Sequence, residues 1–390
     1  MTPYQARKEF LPFSPPLIGE REVAAVAEVL LNGWLSSGPK TKEFEEKFKA
    51  YVGAEAALAL NSCTAGLHLA VLLNGVGEGD EVITTPLTFC ATANVVEHAG
   101  GKIQLADIDP ETLLIDPREI EKRISPKTKA LLPVHYAGLP CDMDAINAIA
   151  RAKNLKVIED AAHCLPSKIG SKFVGSSENL TVFSFYATKN ITTGEGGMIT
   201  GPTAMIDQAR MLALHGMSRN AWDRFAKGGT WKYDVPAPGY KYNLTDIASA
   251  LGVVQLERID ELYERRLKVM RFYEEAFAGN RFLLPLKTRV GVQSSYHLYV
   301  IQLNLEMLSI DRDRFMSELS ERNIGTSVHY APIHTYSYYA GKYGWTPESF
   351  PKAYRAFTRM LSLPLNSKMD MRDAADVVAA VEDICAKFKR

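Results

Sequence analysis

Between residues 57 and 200, short apolar runs alternate with segments of helical periodicity, and this alternation constrains the chain more than any other feature. The runs fall at 57–60, 81–84, 103–106, 130–134, 156–158, 181–185 and 197–200, with helical patterns at 64–74, 91–99 and 143–153. Strand and helix in turn predict an α/β fold with a mainly parallel sheet. Upstream, 20–31 (EREVAAVAEVLL) sets Val23, Val26, Ala27 and Leu30 at three- and four-residue steps, a helix closed by Asn32-Gly33; a second helix is predicted at 41–52. A long helical pattern over 245–277 could join two domains. Beyond it lie a strand at 297–303, a helix near 311–322 and a last helix with Ala374, Val377, Val378, Val381, Ile384 and Cys385 on one face. The expected division is a large α/β domain over 1–250 and a linking helix with a smaller α+β domain over 251–390.

Composition narrows the function classes. Hydrophobic residues make up 46% of the 390-residue chain and charged ones 23%, values of a globular protein and not of a disordered or collagen-like one. Forty-five basic residues balance forty-five acidic ones, which argues against nucleic acid as a partner. The five cysteines follow no zinc or C-x-x-C spacing and read as reduced thiols, so no metal site is expected. Residues 1–20 lack the apolar core of a signal peptide, and no run approaches the ~18 apolar residues of a membrane helix. The expected compartment is the cytoplasm, with no membrane association.

Glycine-rich stretches need sorting first. Gly75-Val-Gly77-Glu-Gly79-Asp80 precedes a strand, whereas a dinucleotide fingerprint follows one, so it reads as a turn. No G-x-x-x-x-G-K-[ST] phosphate loop occurs. KVIEDAAH (156–163) ends a buried-strand pattern in Glu159-Asp160. A carboxylate at the carboxyl end of a parallel strand points into the ligand crevice of such sheets; a loop aspartate that only caps the next turn fits the same residues. TVFSFYATKNITTGEGG (181–197) is a strand, then Ser184, then Lys189, then a glycine-rich turn. Alone, such a lysine is ordinary solvated charge. Here its strand directly follows the Asp160 strand, so the two groups can meet at one sheet end.

An acid and a lysine in one crevice are what pyridoxal phosphate requires: the amine for its covalent imine link, the carboxylate to keep the pyridine nitrogen protonated. Ser184 can hydrogen-bond the cofactor phosphate. Residues 61–68 (NSCTAGLH) follow a strand and start a helix, whose free N–H groups and Thr64 hydroxyl suit a phosphate; plain N-capping explains them equally well. Phe89 can stack on a pyridine ring or belong to the core. The segment 215–243, rich in Gly, Pro and aromatics, carries Arg219, Arg224, Lys227, Lys232 and Lys241 against two Asp and reads as a functional loop.

EDAAH, FSFYATKN, EGGM and GYKYNLTD, with LPFSPPLIGEREV and GWLSSGPKTKEFE before them and SLPL at 362–365 after, resemble the DegT/DnrJ/StrS nucleotide-sugar aminotransferases, fold-type I pyridoxal phosphate enzymes. The resemblance implies Lys189 as the reactive lysine, Asp160 as partner of the pyridine nitrogen, His163 beside the ring and Phe89 stacked on it. Ser184, Cys63 and Thr64 match phosphate-binding positions. Asn243 matches an asparagine that reaches the phosphate from a neighbouring subunit, which implies a homodimer. His329 would face the sugar, and Arg219 and Lys241 the nucleotide diphosphate. Within the family, FLPFSPP, GWLSSGPKT, PVHYAG, GYKYNLTD and GTSVHYAPIHT look most like enzymes that use L-glutamate, released as 2-oxoglutarate, to aminate a UDP-4-keto-pentose to UDP-4-amino-4-deoxy-L-arabinose, a step of lipopolysaccharide biosynthesis. Residues 328–334 also resemble relatives acting on UDP-linked 4-keto-6-deoxyhexoses. Some relatives have histidine in place of the lysine and dehydrate sugars; Lys189 aligns this chain with the transaminating branch. A cysteine desulfurase or a non-catalytic cofactor-binding sensor fits less well, lacking respectively a cysteine in a reactive context and a segment for a DNA-binding module.

Amino transfer sets two electrostatic requirements. Burial and nearby positive charge must bring Lys189 from the ~10.4 of a free lysine toward neutrality, and Asp160 must stay ionised against the cost of its burial.

Overall fold

The computed structural model describes residues 6–218 and 233–390. Seven strands form the main sheet: β1 (Ala56–Leu60), β2 (Glu81–Thr84), β3 (Lys102–Leu105), β4 (Thr128–Leu132), β5 (Lys156–Asp160), β8 (Leu180–Ser184) and β9 (Gly197–Gly201). Two short strands, β6 (Lys168–Ile169) and β7 (Lys172–Phe173), sit in a small separate sheet. The main order is β1-β9-β8-β5-β4-β2-β3; only β9 runs against its neighbours. All seven expected strands are present, each shifted by at most two residues at either end.

The period-two alternation of these strands feeds two cores. Leu58 and Leu60 of β1 join one face with Leu67, Val182 and Ile199; Ala57 and Ala59 face the other, with Phe44, Phe48, Phe183 and Met198. Helices therefore cover both faces, which is why the strands are apolar throughout and not alternately polar. On one face pack α3 (Cys63–Leu73) and α4 (Cys90–His98); on the other lies α2 (Pro39–Val52), whose predecessor α1 (Glu20–Asn32) ends at Gly33 in the left-handed region, φ 75°. The first turn of α2 is held by the buried Asp246 carboxylate, which accepts from the N–H groups of Gly38, Lys40 and Thr41. The 75–80 glycines form the expected turn, with Gly77 N–H donating to Asp80.

After α5 (Pro117–Arg123), α6 (Met143–Lys153) and α7 (Thr203–Ala213), the long pattern over 245–277 resolves into two helices, α8 (Asp246–Glu257) and α9 (Ile259–Ala276). The break falls at Arg258, whose guanidinium bridges Glu22 and Glu261. A second sheet, β10 (Leu283–Pro285), β12 (Tyr299–Leu303) and β13 (Met360–Leu363), follows, and β11 (Val292–Gln293) pairs with β6. With α9, α10 (Arg312–Glu321) and the terminal α13 (Met371–Lys387), the second sheet encloses its own core. All six residues assigned to the apolar face of the last helix are buried there. The intervening α11 (Ser337–Tyr343) and α12 (Pro351–Phe357) place Tyr339, Phe350 and Ala353 against the core of the large sheet instead. No helix among the described residues is long and apolar enough to cross a membrane.

Candidate active site

Strands β1, β2, β4, β5 and β8 run parallel, so their carboxyl ends and following loops share one edge of the sheet. The residues singled out above lie there: Cys63 and Thr64 after β1, Phe89 after β2, Asp160 and His163 at and after β5, Ser184 and Lys189 at and after β8. The register ties them together, since antiparallel β9 pairs its Gly197 with both Leu60 and Ser184.

Asp160 is buried. Its carboxylate accepts from the Thr92 hydroxyl (2.8 Å) and the Ala162 N–H (3.1 Å). It forms no ion pair among the described residues, and burial pushes its pKa up despite those two donors and the nearby Lys189. Its neighbour Glu159 leaves the strand on the opposite face, as the pleat requires, and accepts from His135 Nε2 (2.9 Å), Ser177 Oγ (2.8 Å) and Asn179 Nδ2 (2.8 Å). Burial raises Glu159, but these donors outweigh it and hold the group below the usual carboxylate range.

Lys189 is half-buried in the loop after β8, where its N–H donates to Tyr186 O (2.9 Å). Loss of water lowers its pKa to about 8, against the opposing pull of Cys63 and Asp160. With His163, Ser184 and His297 it lines a small cavity. His163 donates through Nε2 to the Tyr330 hydroxyl (3.0 Å) while Nδ1 accepts from the Ala137 N–H (3.3 Å); burial and the adjacent Lys189 and His329 keep it well below an ordinary histidine.

The phosphate candidates form a cradle. Ser62 caps α3 by accepting from the Ala65 N–H (3.1 Å), leaving the first turn at Cys63 and the exposed Thr64 facing the sheet edge. Gly197 passes so close that a Cβ there would sit 2.6 Å from the Cys63 nitrogen. Phe89 is 53% exposed, with the Tyr330 ring tilted against it at 5.5 Å between centroids. A core phenylalanine would not stand open in this way.

His329 is half-buried, stacked on Phe13 at 5.3 Å and hydrogen-bonded through Nδ1 to Ser362 Oγ (2.9 Å). Burial brings its pKa down to about 4. Lys241 and Asn243 do not join the Lys189 cluster. They line a separate cavity of about 740 Å³ with Ser37, Glu45 and Arg210; Asn243 donates to Ser37 Oγ (2.8 Å), and its backbone pairs with Leu60. Arg219 lies outside the described residues.

The sequence pattern of the DegT/DnrJ/EryC1/StrS aminotransferase family matches residues 16–382. The chain belongs to that family. It is 46% identical over 382 residues to the spore coat polysaccharide biosynthesis protein SpsC of Bacillus subtilis, covering 97% of this chain and 98% of SpsC. Spr1654 of Streptococcus pneumoniae, described as a sugar aminotransferase and solved in a PMP form, superposes with a TM-score of 0.91 at 33% identity over 97% of this chain and 99% of its own. PseC of Helicobacter pylori, an aminotransferase of pseudoaminic acid biosynthesis, gives 0.90 at 29% identity over 98% and 100%. As a family member the chain is a pyridoxal-phosphate-dependent sugar aminotransferase of fold type I.

The residues present suit that cofactor. A buried carboxylate with neutral donors only, pushed up by burial, is a group that a cationic ring nitrogen would stabilise. The lysine beside it has the lowered pKa that imine formation needs.

Several residues that shape the site escaped sequence reasoning: Thr92 on Asp160, Tyr330 on His163, and Phe13 and Ser14, the latter donating to Thr188 O (3.1 Å) next to Lys189. Thr92 carried a faint signal, since a threonine within the first turn of the helix that follows β2 faces the sheet edge. The others come from remote parts of the chain and had none.

Proposed function

We propose that this aminotransferase moves the amino group of L-glutamate to C4 of a UDP-linked 4-keto sugar and that its product is UDP-4-amino-4-deoxy-L-arabinose. The observation that carries the assignment of the site is the convergence of Asp160, His163, Ser184 and Lys189 at the carboxyl edge of β5 and β8. Pyridoxal phosphate, when bound, supplies the electron sink that lets a proton leave the carbon bearing the nitrogen. Asp160 would hold the proton on the ring nitrogen, the start of α3 with Cys63, Thr64 and Ser184 would hold the phosphate, and Phe89 would pack on the ring. Lys189 Nζ takes the proton from the glutamate carbon as 2-oxoglutarate forms, and returns a proton to the sugar C4 in the second half. With a pKa of about 8, the amine is part neutral and part charged near neutral pH, as a group that both accepts and donates must be. His329, at about 4, meets the sugar as a neutral ring.

Asn243 serves the site of a neighbouring subunit in a homodimer, and Lys241 and Arg219 meet the nucleotide diphosphate. The separation of Asn243 from Lys189 within one chain supports the dimer, as do the exposed Leu30, Leu31 and Leu35 on and after α1. The large portion 1–250 binds the cofactor, the portion 251–390 closes over the sugar, and the enzyme works in the cytoplasm on precursors of surface polysaccharide.

A UDP-linked 4-keto-6-deoxyhexose is the second reading, favoured by the resemblance of residues 328–334 to relatives acting on such sugars. Turnover on a panel of UDP-, GDP- and dTDP-4-keto sugars with glutamate separates the two. Amine formation on the UDP-4-keto-pentose at the highest kcat/KM is expected. Preference for a hexose would replace the first reading with the second, and a bleached cofactor band with no sugar product would end both. No response to glutamate would leave a cofactor-binding sensor.

A further inference from the structure

Behind the ring-facing His163 lies a second imidazole. The rings of His163 and His297 are 4.4 Å apart at 42°, and both side chains are buried. The hydrogen bonds around them place a proton on one nitrogen of His297 and leave one nitrogen of His163 without a proton. Asn190, the residue after Lys189, directs its amide nitrogen to two carbonyls, Leu165 O (2.9 Å) and Ser295 O (2.8 Å). Carbonyls only accept, so the Asn190 amide cannot be reversed, and its Oδ1 must accept from His297 Nδ1 (3.2 Å). His297 therefore carries its proton on Nδ1. At His163 the opposite holds: the Ala137 N–H occupies Nδ1, so the proton sits on Nε2 and points to Tyr330.

The backbone is bent to make this arrangement. Three residues in the left-handed region converge on the pair: Ala137 (φ 57°), Gly138 (φ 97°) and Tyr296 (φ 49°). Outside glycine such conformations carry a cost and persist where the surroundings impose them. At Gly138 a Cβ would lie 2.2 Å from Ser295 Oγ and 3.1 Å from His297 N, so the approach also requires glycine. Arg266 of α9 fixes the other side. Fully buried, and with no carboxylate in ion-pair range among the described residues, it donates to the carbonyls of Tyr296 (3.0 Å) and His297. His297 is thus pinned through its ring by the Lys189 loop and through its backbone by the helix from the second core.

We infer that Asn190, His297 and Arg266 are positioning residues that hold the His297 ring, as its Nδ1–H tautomer, against a His163 kept neutral by the Ala137 N–H, and that they hold Lys189 in the same frame. The inference rests on Lys189 as the reactive amine. An ordinary histidine at this place would compete with that amine for the travelling proton; a locked neutral ring does not. Lys189, His329 and Arg266 are the basic groups that act on the pair, and each disfavours a further positive charge there; the phenols of Tyr330 and Tyr136 also face His163, and burial keeps both protonated.

Nitrogen NMR on histidine-labelled protein freed of cofactor tests the lock, with His297→Phe to assign the signals. His163 is expected as the Nε2–H tautomer and His297 as the Nδ1–H tautomer, both uncharged from pH 8 to pH 5.5. Asn190→Ala should release the His297 tautomer, lower kcat with glutamate about tenfold at nearly constant KM, and move the acid limb of the pH profile. A wild-type spectrum with either ring charged above pH 6, or with the tautomers exchanged, overturns the inference even if the variant fails to fold. So does an Asn190→Ala enzyme that keeps the tautomers and the pH profile. Because the spectrum needs neither cofactor nor substrate, it stands apart from the assignment of Lys189; loss of that assignment would show instead as a Lys189→Ala enzyme with normal turnover.

Discussion

The pKa of Lys189 makes the rate of cofactor capture a direct report on the site. Only the neutral amine attacks an aldehyde. At about 8, roughly one lysine in ten is neutral at pH 7; at the ordinary 10.5 the fraction would be about three in ten thousand, so burial raises the reactive population about 300-fold. Mixing cofactor-free enzyme with pyridoxal phosphate and following the bound-cofactor absorbance should therefore give a rate that climbs about tenfold per pH unit up to pH 7.5 and flattens above 8. Asp160→Asn sharpens the test because it acts with opposite signs on two quantities. The Asp160 charge holds the Lys189 pKa up, so its removal should move the inflection to lower pH and speed capture at pH 6–7. The same change removes the partner proposed for the ring nitrogen, so equilibrium affinity should fall. A rate that keeps rising tenfold per unit to pH 10, or an inflection displaced upward in Asp160→Asn, would refute the reasoning. The linked effect on stability has a definite sign: with the folded pKa below the unfolded one, the unfolded chain binds more protons between pH 8 and 10.5, and stability rises with pH across that window.

Gly197→Ala should weaken pyridoxal phosphate binding about tenfold, because its Cβ would meet backbone atoms of Ser62 and Cys63 that cannot move without opening the phosphate cradle. Absorbance titration measures this, and circular dichroism should show the fold retained. Glu159→Gln should cost about 2 kcal/mol, since it puts a neutral amide where three donors converge on a buried carboxylate. Glu159 contributes stability that is fully present above its unfolded value of about 4.5 and is lost as pH falls through its lower folded value. Thermal unfolding should accordingly show a smaller acid-side loss in the variant than in the parent, and equal losses would remove Glu159 as the source.

The main sheet was legible because each strand is buried on both faces and flanked by helices of clear period; local pattern sufficed for it. The pattern over 245–277 was less informative. Its apolar periodicity runs through Arg258 unbroken, whereas the break there accompanies ion pairs to Glu22 and Glu261, one of them more than 200 residues away. The strand expected from 297 begins only at Tyr299, because His297 is drawn to Asn190 and its carbonyl to Arg266. Lys189 and Asp160 could be paired on paper since consecutive strands of a parallel sheet end at one edge. Tyr330 on His163 could not: 167 residues separate them, and no periodicity spans that distance.

By itself the sequence determined the order of strands and helices, the lysine and the carboxylate that meet at one sheet edge, and the family pattern that contains them, all of which depend on residue type and short spacing. Only the tertiary structure decided the protonation of the site. Whether Asp160 is raised, Lys189 lowered or His163 held neutral depends on how much water each group loses and which donors face it, and those quantities exist only once distant segments have packed together.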